Sequence, residues 1–126
     1  MTGSKTAAAL LKLADLILSG NIRMPRGRGA RVAALLTRTA LEEIVDAMCR
    51  VNGLNVPRAS MRVKLACLRA VSADGAGDAA IAWWGLSRAC HQHAYEIAPS
   101  HLEVTHLAST VRSLAEVTIR ESPGAA

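Results

Sequence analysis

The chain has 126 residues, a net charge of +5 and a hydrophobic content of 51%, yet only two Trp, one Tyr and no Phe. At this length one domain is expected, with about two thirds of the unfolded surface buried and a core built from Leu, Val, Ile, Met and many Ala, which suits close-packed helices. A membrane span is excluded because no uncharged apolar run approaches ~18 residues. A disulfide framework is disfavoured because Cys49, Cys67 and Cys90 are odd in number and widely spaced, so reduced thiols in a cytoplasmic protein are expected.

The first segment, MTGSKTAAALLKLADLILSG, is interrupted by Lys12 and Asp15 and reads as a helix rather than an export signal. Leu10, Leu11, Ala14, Ile17 and Leu18 recur at helical spacing from about Ser4 to Ser19, where Gly20-Asn21 stops the pattern. After the basic connector NIRMPRGRG, Val32, Leu35, Leu36, Thr39, Ala40, Glu43, Ile44, Ala47 and Val51 predict a long second helix ending at Asn52-Gly53. Pro57 is placed to open a third helix of about four turns, with Met61, Lys64, Leu65, Leu68 and Val71 as its stripe and SADGAG as its end. Asp78 is the expected N-cap of a fourth, running through Ile81, Trp84, Ser87, Arg88, His91 and Tyr95 towards Pro99. Ser100-His101-Leu102-Glu103 has the form of a capping box, and Val104, Leu107, Val111, Leu114 and Val117 follow it, with residues 121–126 as a frayed tail. The expectation is a single all-α domain over residues 1–126, a five-helix bundle of up-and-down type.

Charge is unevenly distributed. Residues 1–73 hold twelve Lys/Arg against four acids, whereas residues 74–126 hold three against six. Arg26, Arg28 and Arg31 crowd the entry to the second helix, a pattern that suits phosphate neutralisation and attraction of nucleic acid. A solvated, arginine-rich face is the alternative.

The densest chemistry is the run Arg88-Ala-Cys-His-Gln-His93-Ala-Tyr95. At about 100° per residue, Arg88 and His91 stand about 60° apart on a straight helix and Arg88 and His93 about 140° apart. His91 is therefore the easier neighbour of Arg88 and a secondary site candidate. A site using Arg88 and His93 needs a bend between them or a second copy of the chain. The adjacent Trp83-Trp84 pair favours that copy, a two-fold dimer through this helix.

This run fits the R-x4-H-x-Y pattern and resembles HEPN domains, in particular the ribonuclease toxins that stand beside a minimal nucleotidyltransferase antitoxin. The resemblance rests on identifiable residues only between 88 and 95, together with chain length and helix order. It departs at Ala89, where many HEPN ribonucleases carry a polar residue. It implies a helical bundle that dimerises by pairing its motif helices, and cleavage of RNA without metal in a shared cleft, with Arg88 and His93 as catalytic residues. Such cleavage uses the RNA 2′-hydroxyl as nucleophile; histidine suits proton transfer near neutral pH, and the planar guanidinium suits charge stabilisation on phosphate. The resemblance also implies that Tyr95 is where the antitoxin transfers AMP.

No metal or cofactor is expected. Cys90, His91, His93, His101 and His106 lack the spacing of HExxH or paired CxxC motifs, and PRGRGAR matches neither nucleotide-binding pattern. The runner-up function is a catalytically silent helical module that binds nucleic acid or a protein partner through Arg23 to Arg38.

Overall fold

A computed structural model describes residues 2–25, 27–91 and 99–121; the expectations for Arg26, His93, Tyr95 and the tail at 122–126 lie outside them. Among the described residues five helices follow in order: α1 (Thr2–Leu18), α2 (Gly29–Val51), α3 (Met61–Ala70), α4 (Ala76–Cys90) and α5 (His101–Glu121). No strand occurs among the described residues. None of their helices is long and apolar enough to cross a membrane.

The longest helix, α2, touches all four others. α1 lies against α2 and α5 without reaching α3 or α4, while α4 packs on the same α2/α5 pair and α3 bridges α2 to α4. α2 and α5 thus form a central pair with α1 on one side and α4 on the other.

Alanine sets how closely these helices approach. Eleven of the 25 buried hydrophobic residues among those described are alanine, and on α2 the buried line is Ala33, Ala34, Thr37, Ala40, Leu41, Ile44, Val45 and Met48. The expected stripe is therefore out of phase in the first half of α2, where Leu35 is 52% exposed. A helix pressed against its neighbours buries its small side chains there and turns the larger leucine outward. Gly85 marks the same closeness between α4 and α5, since a Cβ there would stand 3.0 Å from a Leu107 methyl. Fully buried Leu41, Leu68 and Leu86 fill the remaining volume, each worth roughly 1.5–3 kcal/mol of burial. Thr37 and Thr118, also buried, return their hydroxyl protons to the carbonyls of Ala33 and Leu114.

Helix ends agree with the sequence at some points and correct it at others. Ser100 Oγ accepts from the Glu103 amide and starts α5 as the capping box predicts, and α5 runs on through Glu121. α3 begins after Ser60, whose hydroxyl accepts from the Val63 amide; Pro57 lies in the preceding turn, so α3 has ten residues rather than four turns. α4 begins after Gly75, not Asp78. Gly75 has φ +82, and a Cβ there would meet a Leu114 methyl at 2.6 Å, so the start of α4 needs a residue without a side chain. Lys64, placed by spacing among the apolar residues of α3, is indeed buried, with its ammonium paired to Asp46 of α2.

Candidate functional site

Arg88 stands in the last turn of α4, exposed and without an ion pair among the described residues. The helix then stops. His91 has φ −79 and ψ 130, an extended backbone, and is itself exposed. An unbroken fourth helix from Asp78 past His91 is thereby corrected, and the angles reckoned on one straight helix no longer apply beyond Cys90. At the cap the His91 amide still bonds to the carbonyls of Ser87 and Arg88, but its own backbone is no longer helical.

The outward face of α4 carries Ile81, Trp84 and Arg88 within about 60° of arc. Ile81 is 69% exposed and Trp84 61%, while the opposite face, Ala79, Ala82, Leu86 and Ala89, is buried. Ala89, the position at which the HEPN resemblance departs, is thus a core residue. A polar side chain there would enter the packing between helices.

The seam between α2 and α4 holds a second group. Arg38 of α2 lies over the Trp83 ring, 4.3 Å from its centroid, and its Nε donates to Ser87 Oγ at 3.2 Å. Two turns earlier on the same face, Arg31 is half-buried, and its Nε is buried without a hydrogen-bond partner among the described residues. Both guanidiniums act on Cys90, whose thiol burial pushes up and whose two arginine neighbours partly restore. Arg31, Arg38, Ser87 and Cys90 therefore gather where α4 hands over to His91. Next to the seam, a groove of about 340 Å³ between α3 and α4 is lined by Arg62, Arg69, Trp83 and Trp84.

The remaining predicted residues divide. Arg28 is exposed at the N-cap of α2, a helix start that has no side-chain cap and so presents the positive end of its dipole. Arg31 belongs to the seam rather than to an open basic connector. His101, at the start of α5, packs its ring near Gly29, which puts the first turns of α2 and α5 at one end of the bundle. Cys90 reaches that same end through Arg31. Among the described residues no grouping of His, Cys, Asp or Glu could hold a metal ion.

Sequence reasoning missed the Arg38–Trp83–Ser87 unit. Its only local signal is the seven-residue interval between Arg31 and Arg38, which puts both on one face of α2. No family model matches the chain, and no curated protein and no solved structure shows significant similarity to it.

Proposed function

We propose that this protein is a metal-independent endoribonuclease of the HEPN kind, acting as a toxin or defence nuclease, with a catalytic cleft completed by a second copy of the chain. The observation that carries this reading is the outward face of α4, where exposed Ile81 and Trp84 lead directly to exposed Arg88, which has no ion pair among the described residues. Two such faces meeting across a two-fold axis would bury the apolar pair and bring the two Arg88 side chains to one place. Like charges at that place repel until an anion lies between them, and a phosphodiester supplies it. His93 is the group assigned to proton transfer. Arg28, Arg62 and Arg69 extend a basic surface along which RNA would lie. His91 serves as a neighbour of Arg88.

A second reading, a module that binds nucleic acid or protein without cleaving, is favoured by Ala89. Its burial leaves no room for the polar residue that many HEPN ribonucleases carry after the arginine.

Cleavage of RNA in EDTA, with 2′,3′-cyclic phosphate ends, distinguishes the two. Arg88→Ala and His93→Ala should each lower the rate by ~10²–10⁴-fold in a folded protein, and sedimentation should show a dimer that Trp84→Ala dissociates. Cleavage persisting in both variants would defeat the enzyme reading, and RNA binding without cleavage would establish the module. If a nucleotidyltransferase antitoxin is the partner, Tyr95→Phe should stay nucleolytic but escape its adenylation, which intact mass would read directly.

A further inference from the structure

Across the α2/α5 pair from α4, helices α1, α2 and α5 border an open cavity of about 330 Å³. Its walls are largely apolar, with Leu11 from α1, Ile44 and Ala47 from α2, and Ala115 and Ile119 from α5. Alanines leave the space: at Ala47 and Ala115 a longer side chain would occupy it. The volume lies at the lower end of small-molecule sites, roughly 300–1,000 Å³.

One group in this wall carries an unsatisfied oxygen among the described residues. Glu43 of α2 borders the cavity, and its Oε2 is buried without a hydrogen-bond partner among the described residues. A buried polar atom left unpaired carries a desolvation cost and calls for a partner. The charges around it say which kind. Burial raises the Glu43 carboxyl above its ordinary range, and Asp46, itself paired to Lys64, and then Glu42 raise it further. Of the cations bordering the same cavity, Arg112 is already bound to Asp15, and Lys12 and Arg50 are exposed on α1 and α2.

We propose that the cavity between α1, α2 and α5 binds a small amphiphilic amine, its apolar body against Leu11, Ile44 and Ile119 and its ammonium donating a hydrogen bond to the Glu43 carboxylate. A carboxylate ligand would set its charge against Glu43. A wholly apolar ligand would fill the space and leave the oxygen unpaired. The ammonium does both tasks, and its charge-assisted bond to a carboxylate is the strong kind. The site lies on the far side of the central helix pair from Arg88, so it is independent of the nuclease reading.

Calorimetric titration of the full chain with phenethylamine, phenethyl alcohol and phenylacetate tests the assignment. Phenethylamine should bind about tenfold or more tightly than the alcohol, the factor expected of one hydrogen bond to a charged group, and phenylacetate should bind most weakly. Glu43→Gln should bring the amine down to the affinity of the alcohol while leaving the alcohol unchanged, which also shows that the variant is folded. Ala47→Leu should abolish binding of both; Ala8→Leu, at an exposed position of the same lining, serves if Ala47→Leu fails to fold. Equal affinity for amine and alcohol in the unmodified chain, an amine preference that survives Glu43→Gln, or no binding of any of the three would overturn the proposal.

Discussion

Arg38 and Glu43 stand less than two turns apart on α2, one on the side facing α4 and the other on the side facing α1 and α5. Arg38 is held between an indole face and a hydroxyl, so its charge is spent on joining two helices. Glu43 enters a wall of alanine and isoleucine with one oxygen unpaired among the described residues and acidic neighbours on its own helix. A charge that reaches a partner across a helix seam becomes part of the fold, whereas a charge left facing a cavity keeps its capacity to bind something else. The two sides of α2 therefore divide the work, one structural and one available for a ligand.

The largest test of that division uses the adjacent tryptophans. Trp83 packs against the core and under Arg38, whereas Trp84 is 61% exposed. Trp83→Ala should destabilise the chain by about 2–3 kcal/mol, somewhat below the ~3–5 kcal/mol of a fully buried aromatic, because packing and the cation–π contact are lost together. Trp84→Ala should change stability by less than about 0.5 kcal/mol at concentrations where the chain is monomeric. Urea unfolding of both variants reads the difference. Equal losses would mean that the seam carries no more of the fold than the outer face does.

Much of this was legible beforehand, and the exceptions share a cause. Gly20 and Asn52-Gly53 end their helices because the chain needs conformations there that interrupt the 3.6-residue period, and Ser100 starts α5 through a bond that four consecutive residues can specify. Glu43 already stood in the predicted apolar stripe of α2, a polar residue on a buried face, and it does border the cavity. The phase of that stripe near Leu35 was not legible, because periodicity counts leucine and alanine alike and only the distance between helices separates them. Nor was the start of α4, where a left-handed glycine outranks an aspartate, or its end at Cys90, which no proline or glycine marks. The Arg38–Trp83 contact joins positions distant in sequence, and nothing local announces it.

A smaller effect sharpens the comparison at Glu43. Its carboxyl is raised above 4.5 in the folded chain, so protonation favours folding. The contribution is present in full below that ordinary value and is lost as pH rises through the raised one. Glu43→Gln, which cannot ionise, should therefore be more stable than the parent at about pH 7, by no more than about 1 kcal/mol since water screens a half-buried group, and the advantage should shrink towards about pH 4. Unfolding free energies of the two chains across that range give the sign. An advantage growing in acid would mean that the carboxylate, not the neutral acid, is the form the fold prefers, and that Glu43 has a partner in the folded chain.

The smallest effect belongs to the ion pair beside the same cavity. Asp15 of α1 and Arg112 of α5 are joined through both carboxylate oxygens, but their side chains remain 49% and 43% exposed. Water competes for both groups, and holding two side chains in one geometry costs entropy, so exposed pairs contribute roughly 0.2–1 kcal/mol. A double-mutant cycle of Asp15→Ala and Arg112→Ala should return a coupling near the lower end, falling further at about 1 M salt, where the screening length is only about 3 Å. Breaking the pair also frees Arg112 beside the cavity, so phenethylamine binding should weaken in Asp15→Ala and recover in the double variant, because an unpaired cation near the ligand's ammonium repels it. A coupling above about 1 kcal/mol that persists in high salt would show that this edge of the cavity is dry, and that the α1–α5 side, like the α2–α4 seam, is joined by charge rather than left open.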